Sequence, residues 1–166
     1  SSNLLLAVSD IYVQKNYINL IKAMAILLKK HPELELKIVG RKIDKSYTKD
    51  IEQIVQENGL SEQVKLLGHV PHDDVMAMVA GAPIACSNTS AMPEIVGEAC
   101  YTFNPLSADA ISDAVSKLHM SDDLRVELSQ KAIERAKNFT WEKCADSTAN
   151  VLMSAASDID RRPEKF

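Results

Sequence analysis

Glycine is scarce in this chain of 166 residues: there are five, and none stands in the GxGxxG or GxxxxGK[ST] spacing of a glycine-rich phosphate loop. A phosphate site here must be built another way. Basic charge is not clustered either: 19 Lys and Arg are outnumbered by 23 Asp and Glu, for a net charge of −4. That excludes nucleic acid as the main partner, because affinity for a phosphate backbone needs a dense cationic surface. Cysteines are three, an odd number, and they are widely spaced at Cys86, Cys100 and Cys144. They make neither a disulfide framework nor a CxxC metal site, and they predict reduced thiols in a cytoplasmic setting. No apolar run approaches the ~20 residues of a membrane span. Asn88-Thr89-Ser90 and Asn138-Phe139-Thr140 match the glycosylation sequon, but no secretory signal accompanies them and they read as chance. No Ser-His-Asp arrangement, metal-ligand cluster or close carboxylate pair stands out.

What is present is a regular alternation of strands and helices. Leu4-Leu5-Leu6-Ala7-Val8 is a continuous apolar run, predicting a strand buried on both faces of a parallel sheet. Asn16 is placed to cap a helix whose Ile18, Ile21, Ala25 and Leu28 repeat at helical spacing, with Pro32 as its stop. Glu35–Val39, Val64–Leu67, Pro83–Cys86 and Cys100–Phe103 predict four more strands. Helices are predicted from about Ser46 to Gly59, from Asp73 to about Val79, and briefly from Met92 to Gly97. Three more follow, capped by Ser107, Ser121 and Thr140, the last with Trp141, Cys144, Ala145, Thr148 and Val151 on one face. The fold class is therefore α/β, a doubly wound, Rossmann-like parallel sheet. Residues 1–156 form one domain, and 157–166 a polar, frayed tail.

In such sheets ligands bind beyond the carboxyl ends of the strands, where every candidate motif lies. Lys15 stands between strand one and helix one, next to a helix N-terminus suited to an anion. A solvated surface lysine is the commoner outcome at such a position. Gly40-Arg41-Lys42 after strand two is a weaker candidate, since a turn glycine followed by surface charges is the commoner reading. Gly68-His69-Val70 after strand three could offer backbone groups to the edge of a flat heterocycle. Asn88-Thr89-Ser90-Ala91-Met92-Pro93-Glu94 is a polar loop opening on the same edge, although Glu94 fits a first-turn carboxylate favoured by the helix dipole just as well. Physical chemistry alone stops at a domain that binds a nucleotide or phosphate.

The ordered set "LLLAVSDIYVQKNYINLIKAM", "LKIVGR", "ENGLSEQVKLLGHVPHDDVMAM", "GAPIACSNTSAMPEIVGEACYTFNP" and "FTWEKCADS" resembles the C-terminal, donor-binding domain of GT-B glycosyltransferases. The resemblance is to family 4 (group 1), retaining enzymes that use nucleotide sugars. It runs from about Asn3 to Met153. It implies a nucleoside-diphosphate sugar as donor, no cofactor, no metal, and an N-terminal acceptor domain without which the chain is inactive. It also implies a cytoplasmic setting at the inner face of the membrane, where many relatives build surface polysaccharides. By the same resemblance Ser9, Lys15 and Asn16 lie at the donor diphosphate. Gly40, Arg41, Gly68, His69 and Val70 lie near the nucleobase. The loop from Asn88 through Thr89, Ser90, Ala91, Met92 and Pro93 to Glu94 lies near the donor sugar and phosphates.

Two departures stand out. Many members carry Gly-Arg at the end of strand one, whereas this chain reads Ser9-Asp10, which leaves Lys15 without a helping arginine. Between "VMAMVA" and "GAPIACSN" the family has a further strand, a glycine-rich loop and a helix holding its Glu-x7-Glu motif. Here the text runs straight across, leaving out roughly 25 residues, about one βα unit. The preferred expectation is that the natural polypeptide holds this segment; the alternative is a true deletion. A non-catalytic α/β module with a degenerate donor site, acting in nucleotide binding or assembly, is the rival from another class. A sugar-nucleotide epimerase of related fold is the third, and it lacks supporting catalytic carboxylates.

Overall fold

The computed structural model describes residues 3–71, 74 and 81–160, with side chains through 156 in the last helix. Its strands are β1 (Leu4–Val8), β2 (Glu35–Val39), β3 (Val64–Gly68), β4 (Ala85–Ser87) and β5 (Tyr101–Phe103). Its helices are α1 (Tyr17–Leu27), α2 (Lys45–Glu57), α3 (Met92–Val96), α4 (Ala108–Met120), α5 (Asp122–Ala136) and α6 (Trp141–Asp160). The helix expected over Asp73–Val79 lies outside the described residues.

The strands are parallel, as the alternation predicts, but they form two sheets rather than one. β1, β2 and β3 pair in that order, with Leu4 opposite Glu35 and Val8 opposite Val39. β4 and β5 pair separately, Cys86 opposite Thr102. Among the described residues nothing pairs with the second edge of β1. The single doubly wound sheet expected from the sequence is thus split into two, and the chain passes from the first to the second through the point where the family resemblance puts an extra βα unit. The consequence shows in burial: β2 buries Leu36, Ile38 and Val39, whereas no residue of β1 is buried and Val8 is 47% exposed. An apolar strand expected to be covered on both faces is left as a half-open edge.

The main core lies between the three-stranded sheet and the helices beside it. Ile21, Met24 and Leu27 of α1, Leu36 and Ile38 of β2, and Ile51 of α2 are almost completely excluded from solvent. Burying each such side chain stabilises the fold by roughly 1.5–3 kcal/mol. α1 packs against both α2 and α4. Its first turn differs from expectation, since Asn16 is left-handed (φ 54°) and makes no side-chain cap bond. The caps at Ser107 and Ser121 form as predicted, accepting from the N–H groups of Ala110 and Leu124 at 3.1 and 3.2 Å. α6 begins where Thr140 predicts, but its residues 141–156 are exposed, Trp141 by 87%. It continues to Asp160, across the boundary where the sequence suggests a frayed tail.

A small second core joins β4 to β5. Cys86 and Cys100 are both buried there with their sulfurs 2.9 Å apart, while Cys144 is exposed. Burial, then the neighbouring thiol, pushes Cys86 up to about 12. Because the thiolate is the reactive form, native protein at pH 7.5 should take up one equivalent of maleimide rapidly, at Cys144. Cys86 and Cys100 should react only after denaturant is added. Rapid labelling of all three thiols in the native state, read by mass spectrometry, would contradict the buried pair.

Candidate functional site

The carboxyl ends of β1, β2 and β3 gather Ser9, Asp10, Gly40, Arg41, Gly68 and His69 into one patch. The backbone holds them there. Ser9 N–H donates to Val39 O at 3.0 Å, Ile11 N–H to Arg41 O at 2.9 Å, and Gly40 N–H to Gly68 O at 2.9 Å. The loop after β1 is thereby strapped to the loop after β2. Gly40 makes this possible: a Cβ at that position would stand 2.0 Å from Ser9 O and 2.8 Å from Asp10 N. Tyr17 closes the strap from below, its hydroxyl donating to Ser9 O at 2.9 Å. Burial raises the phenol to about 12, against the opposing effect of that hydrogen bond.

On this support the chain turns once as a 3-10 helix, Val13–Lys15, and exposes Lys15 at its end. The Lys15 ammonium lies 5.4 Å from the centre of the Tyr12 ring, a cation–π contact that steadies an otherwise free side chain. Asn16 does not turn toward an anion. Its Nδ2 donates to Pro105 O at 2.6 Å, and Asn19 Nδ2 reaches the same carbonyl at 3.2 Å. The helix N-terminus is also largely used. Ile18 N–H donates to the Tyr47 hydroxyl at 3.3 Å and Asn19 N–H to Asn16 O at 3.2 Å. Of the anion-binding features expected in this loop, the lysine charge is the one left presented to solvent.

Arg41 supplies what the sequence fails to show. From the end of β2 it crosses to Asp10 and binds it in fork geometry, Nη2 to Oδ2 at 2.5 Å and Nε to Oδ1 and Oδ2 at 3.2 and 3.1 Å. Its own N–H adds a fourth bond to Oδ1 at 2.9 Å. A guanidinium therefore does stand at the carboxyl end of β1, but it arrives from the next strand and is neutralised by Asp10. The Arg41 hydrogen bonds hold the Asp10 carboxyl below its usual range, with a further contribution from the charge of His69. The pair is exposed and contributes little to stability. Its effect is on the local potential.

The loop after β4 stands on the second sheet. Ser87 Oγ and Thr89 Oγ1 are 2.7 Å apart, Asn88 N–H donates to Phe103 O at 2.9 Å, and Ser90 is left-handed at φ 60°. Residues Asn88 to Ala91 are exposed, as are Pro93 and Glu94, and Met92 is half-buried. Arg135 of α5 clamps the far side of α3 by donating to the carbonyls of Glu94 and Ile95 at 2.5 and 2.9 Å. This leaves the Glu94 carboxylate free of that guanidinium. The open hollow between α3 and α5, lined by Val96, Gly97, Gln130 and Asn138 among others, contains none of the donor-site residues predicted from the sequence.

Residues 1–79 match the family described as Glycosyl transferases group 1. The chain is 28% identical over 122 residues to O-antigen chain mannosyltransferase B of Escherichia coli, covering 59% of this chain and 32% of that protein. It spans 32% to 40% of the length of the curated relatives it matches. Its fold is similar to that of Anabaena HepE, solved in complex with UDP and glucose (TM-score 0.79, 17% identity, 92% of this chain and 48% of that one). It is also similar to the C-terminal domain of a glycosyl transferase group 1 family protein, LpcC, from Francisella tularensis (TM-score 0.68, 20% identity, 80% and 84%).

Proposed function

From the match of residues 1–79 to the family described as Glycosyl transferases group 1, we propose that this chain is the donor-binding half of a retaining glycosyltransferase of that group. Its ligand is a nucleoside-diphosphate sugar. Transfer needs an acceptor domain, since a GT-B enzyme works in the cleft between two domains. The setting is the cytoplasm, at the inner face of the cytoplasmic membrane. No helix among the described residues is long and apolar enough to cross a membrane, so attachment there would be peripheral.

One observation carries the reading: Lys15 is presented, exposed, at the carboxyl edge of the sheet on a turn strapped to two strands. When the bond from the anomeric carbon to the diphosphate breaks, negative charge collects on the leaving oxygen. A fixed ammonium there stabilises that charge without a metal. Gly68, His69 and Val70 stand two strands further along, where a base could lie across their backbone edges. The loop from Asn88 to Glu94 is the remaining wall, for the sugar and phosphates.

A degenerate, non-catalytic nucleotide-binding module is the second reading. The Asp10–Arg41 pair favours it, since a neutralised arginine beside the lysine weakens the site. Titration calorimetry of the chain with UDP, GDP and ADP separates the two. We expect weak binding of one nucleotide, with heat that falls as salt rises, and no sugar transfer to a simple acceptor. No binding of any of the three, by protein of verified mass, supports the degenerate module. Turnover by the isolated chain would refute the need for an acceptor domain.

A further inference from the structure

At the end of the sheet opposite the donor loops, two histidines and a glutamate converge from distant parts of the chain. His31 follows the last turn of α1, Glu33 precedes β2, and His119 is the penultimate residue of α4. β2 has five residues, which separates this corner from Arg41 by a strand length of about 17 Å. We propose that His31, Glu33 and His119 bind a divalent transition-metal ion, of which zinc is the best match, as a structural cross-link between the α1–β2 corner and α4.

The ligand set is of the right kind, two imidazoles and a carboxylate. One ligand atom from each lies within 4.8 Å of the others. Zinc bonds of about 2.0–2.2 Å require those atoms to draw closer, and Glu33, 43% exposed, has the freedom to move. His119 Nε2 already lies 2.9 Å from Glu33 Oε1, and His31 Nδ1 lies 3.9 Å from the same oxygen. The rings of His31 and His119 meet edge to face, 4.9 Å between centres.

One feature fits an ion: the His31 ring is already held by an outer hydrogen bond. His31 Nε2 is bonded to Ser116 Oγ at 2.9 Å, which fixes the ring and turns Nδ1 toward Glu33. Such an outer partner is the usual support of a metal-binding histidine. His119 also lies in the last turn of α4, where the backbone dipole favours a cation. Arg125 is the neighbouring positive charge. Its Nη1 donates to the carbonyls of Leu118 and His119 at 2.7 and 2.5 Å, and its Nη2 is engaged by Asp122, so it is turned to the backbone and to its own counter-ion. No metal was expected from the sequence, and none is assigned to the donor site by this proposal.

The test is thermal unfolding of tag-free, chelator-treated protein titrated with zinc chloride, in a Cys144→Ser background to remove the exposed thiol. Zinc should raise the melting temperature by several degrees, because it binds the folded state alone. Cobalt(II) should develop visible absorption bands on the same protein. Glu33→Gln and His119→Gln should each weaken both responses by at least tenfold. Glu33 is exposed, so its variant retains the fold even where the histidine variant does not. No zinc-dependent rise, or an equal rise in folded Glu33→Gln, overturns the proposal. Neither readout depends on nucleotide binding, so the result stands apart from the functional reading above.

Discussion

Gly40→Ala should lower the melting temperature by roughly 6–12 °C, more than any surface substitution in this chain, and should disorder the Lys15 loop with it. The new methyl carbon would be placed 2.0 Å from Ser9 O and 2.4 Å from Ser9 C. Those are backbone atoms, locked by Ser9 N–H on Val39 O and by Tyr17 on Ser9 O, so no side chain can swing away. Overpacking against backbone typically costs 1–3 kcal/mol, and more where nothing yields. A cost of about 3 kcal/mol converts to the stated shift for a domain of this size. Gly59, by contrast, has nothing within 4 Å of a built Cβ, and only its positive φ is at stake. Gly59→Ala should therefore cost about 1 kcal/mol. Equal melting temperatures for the two variants would show that the strap between the β1 and β2 loops is not rigid.

Lys15→Ala should weaken binding of a nucleoside diphosphate roughly ten- to hundredfold, the range of a lost charge-assisted hydrogen bond, while leaving the melting temperature unchanged. Lys15 is exposed and the only described contact of its side chain is with the Tyr12 ring, so the fold does not depend on that side chain. Asp10→Asn should act in the opposite direction. It removes the carboxylate that neutralises Arg41 and should tighten binding by up to about fivefold. The double variant Asp10→Asn, Arg41→Ala should lose that gain. Calorimetry on the four proteins at one ionic strength decides it. If Lys15→Ala binds as the parent does, Lys15 is a solvated charge and the diphosphate lies elsewhere.

The parts of the fold that were legible in the sequence are those set by local chemistry. Ser107 and Ser121 cap their helices because a short hydroxyl satisfies a free N–H wherever the chain can turn. Val64–Gly68 forms a strand as its apolar run predicts, pairing with β2 and burying Val64. α6 illustrates the limit: Thr140 marks its start and its apolar spacing is evident, yet Trp141 and Val151 face solvent, because spacing defines a face without supplying something to cover it. Asn16 fails as a cap for a related reason. Its amide finds Pro105 O, 89 residues away, a partner no local rule can name.

The site divides in the same way. Local chemistry was enough to make the chain an α/β domain of parallel strands, with Lys15 and the Asn88–Glu94 loop at strand ends. Alternation of apolar runs and helical repeats leaves no other arrangement in which both can be buried. Packing set the rest: Arg41 crosses to Asp10, the strands divide into two sheets, and His31 and Glu33 meet His119. These are contacts between residues 31 to 88 positions apart, or pairings that fail to form, and they depend on where whole strands and helices come to rest. Periodicity reports which face of an element is apolar; packing alone decides what that face, and the charges at its ends, will meet.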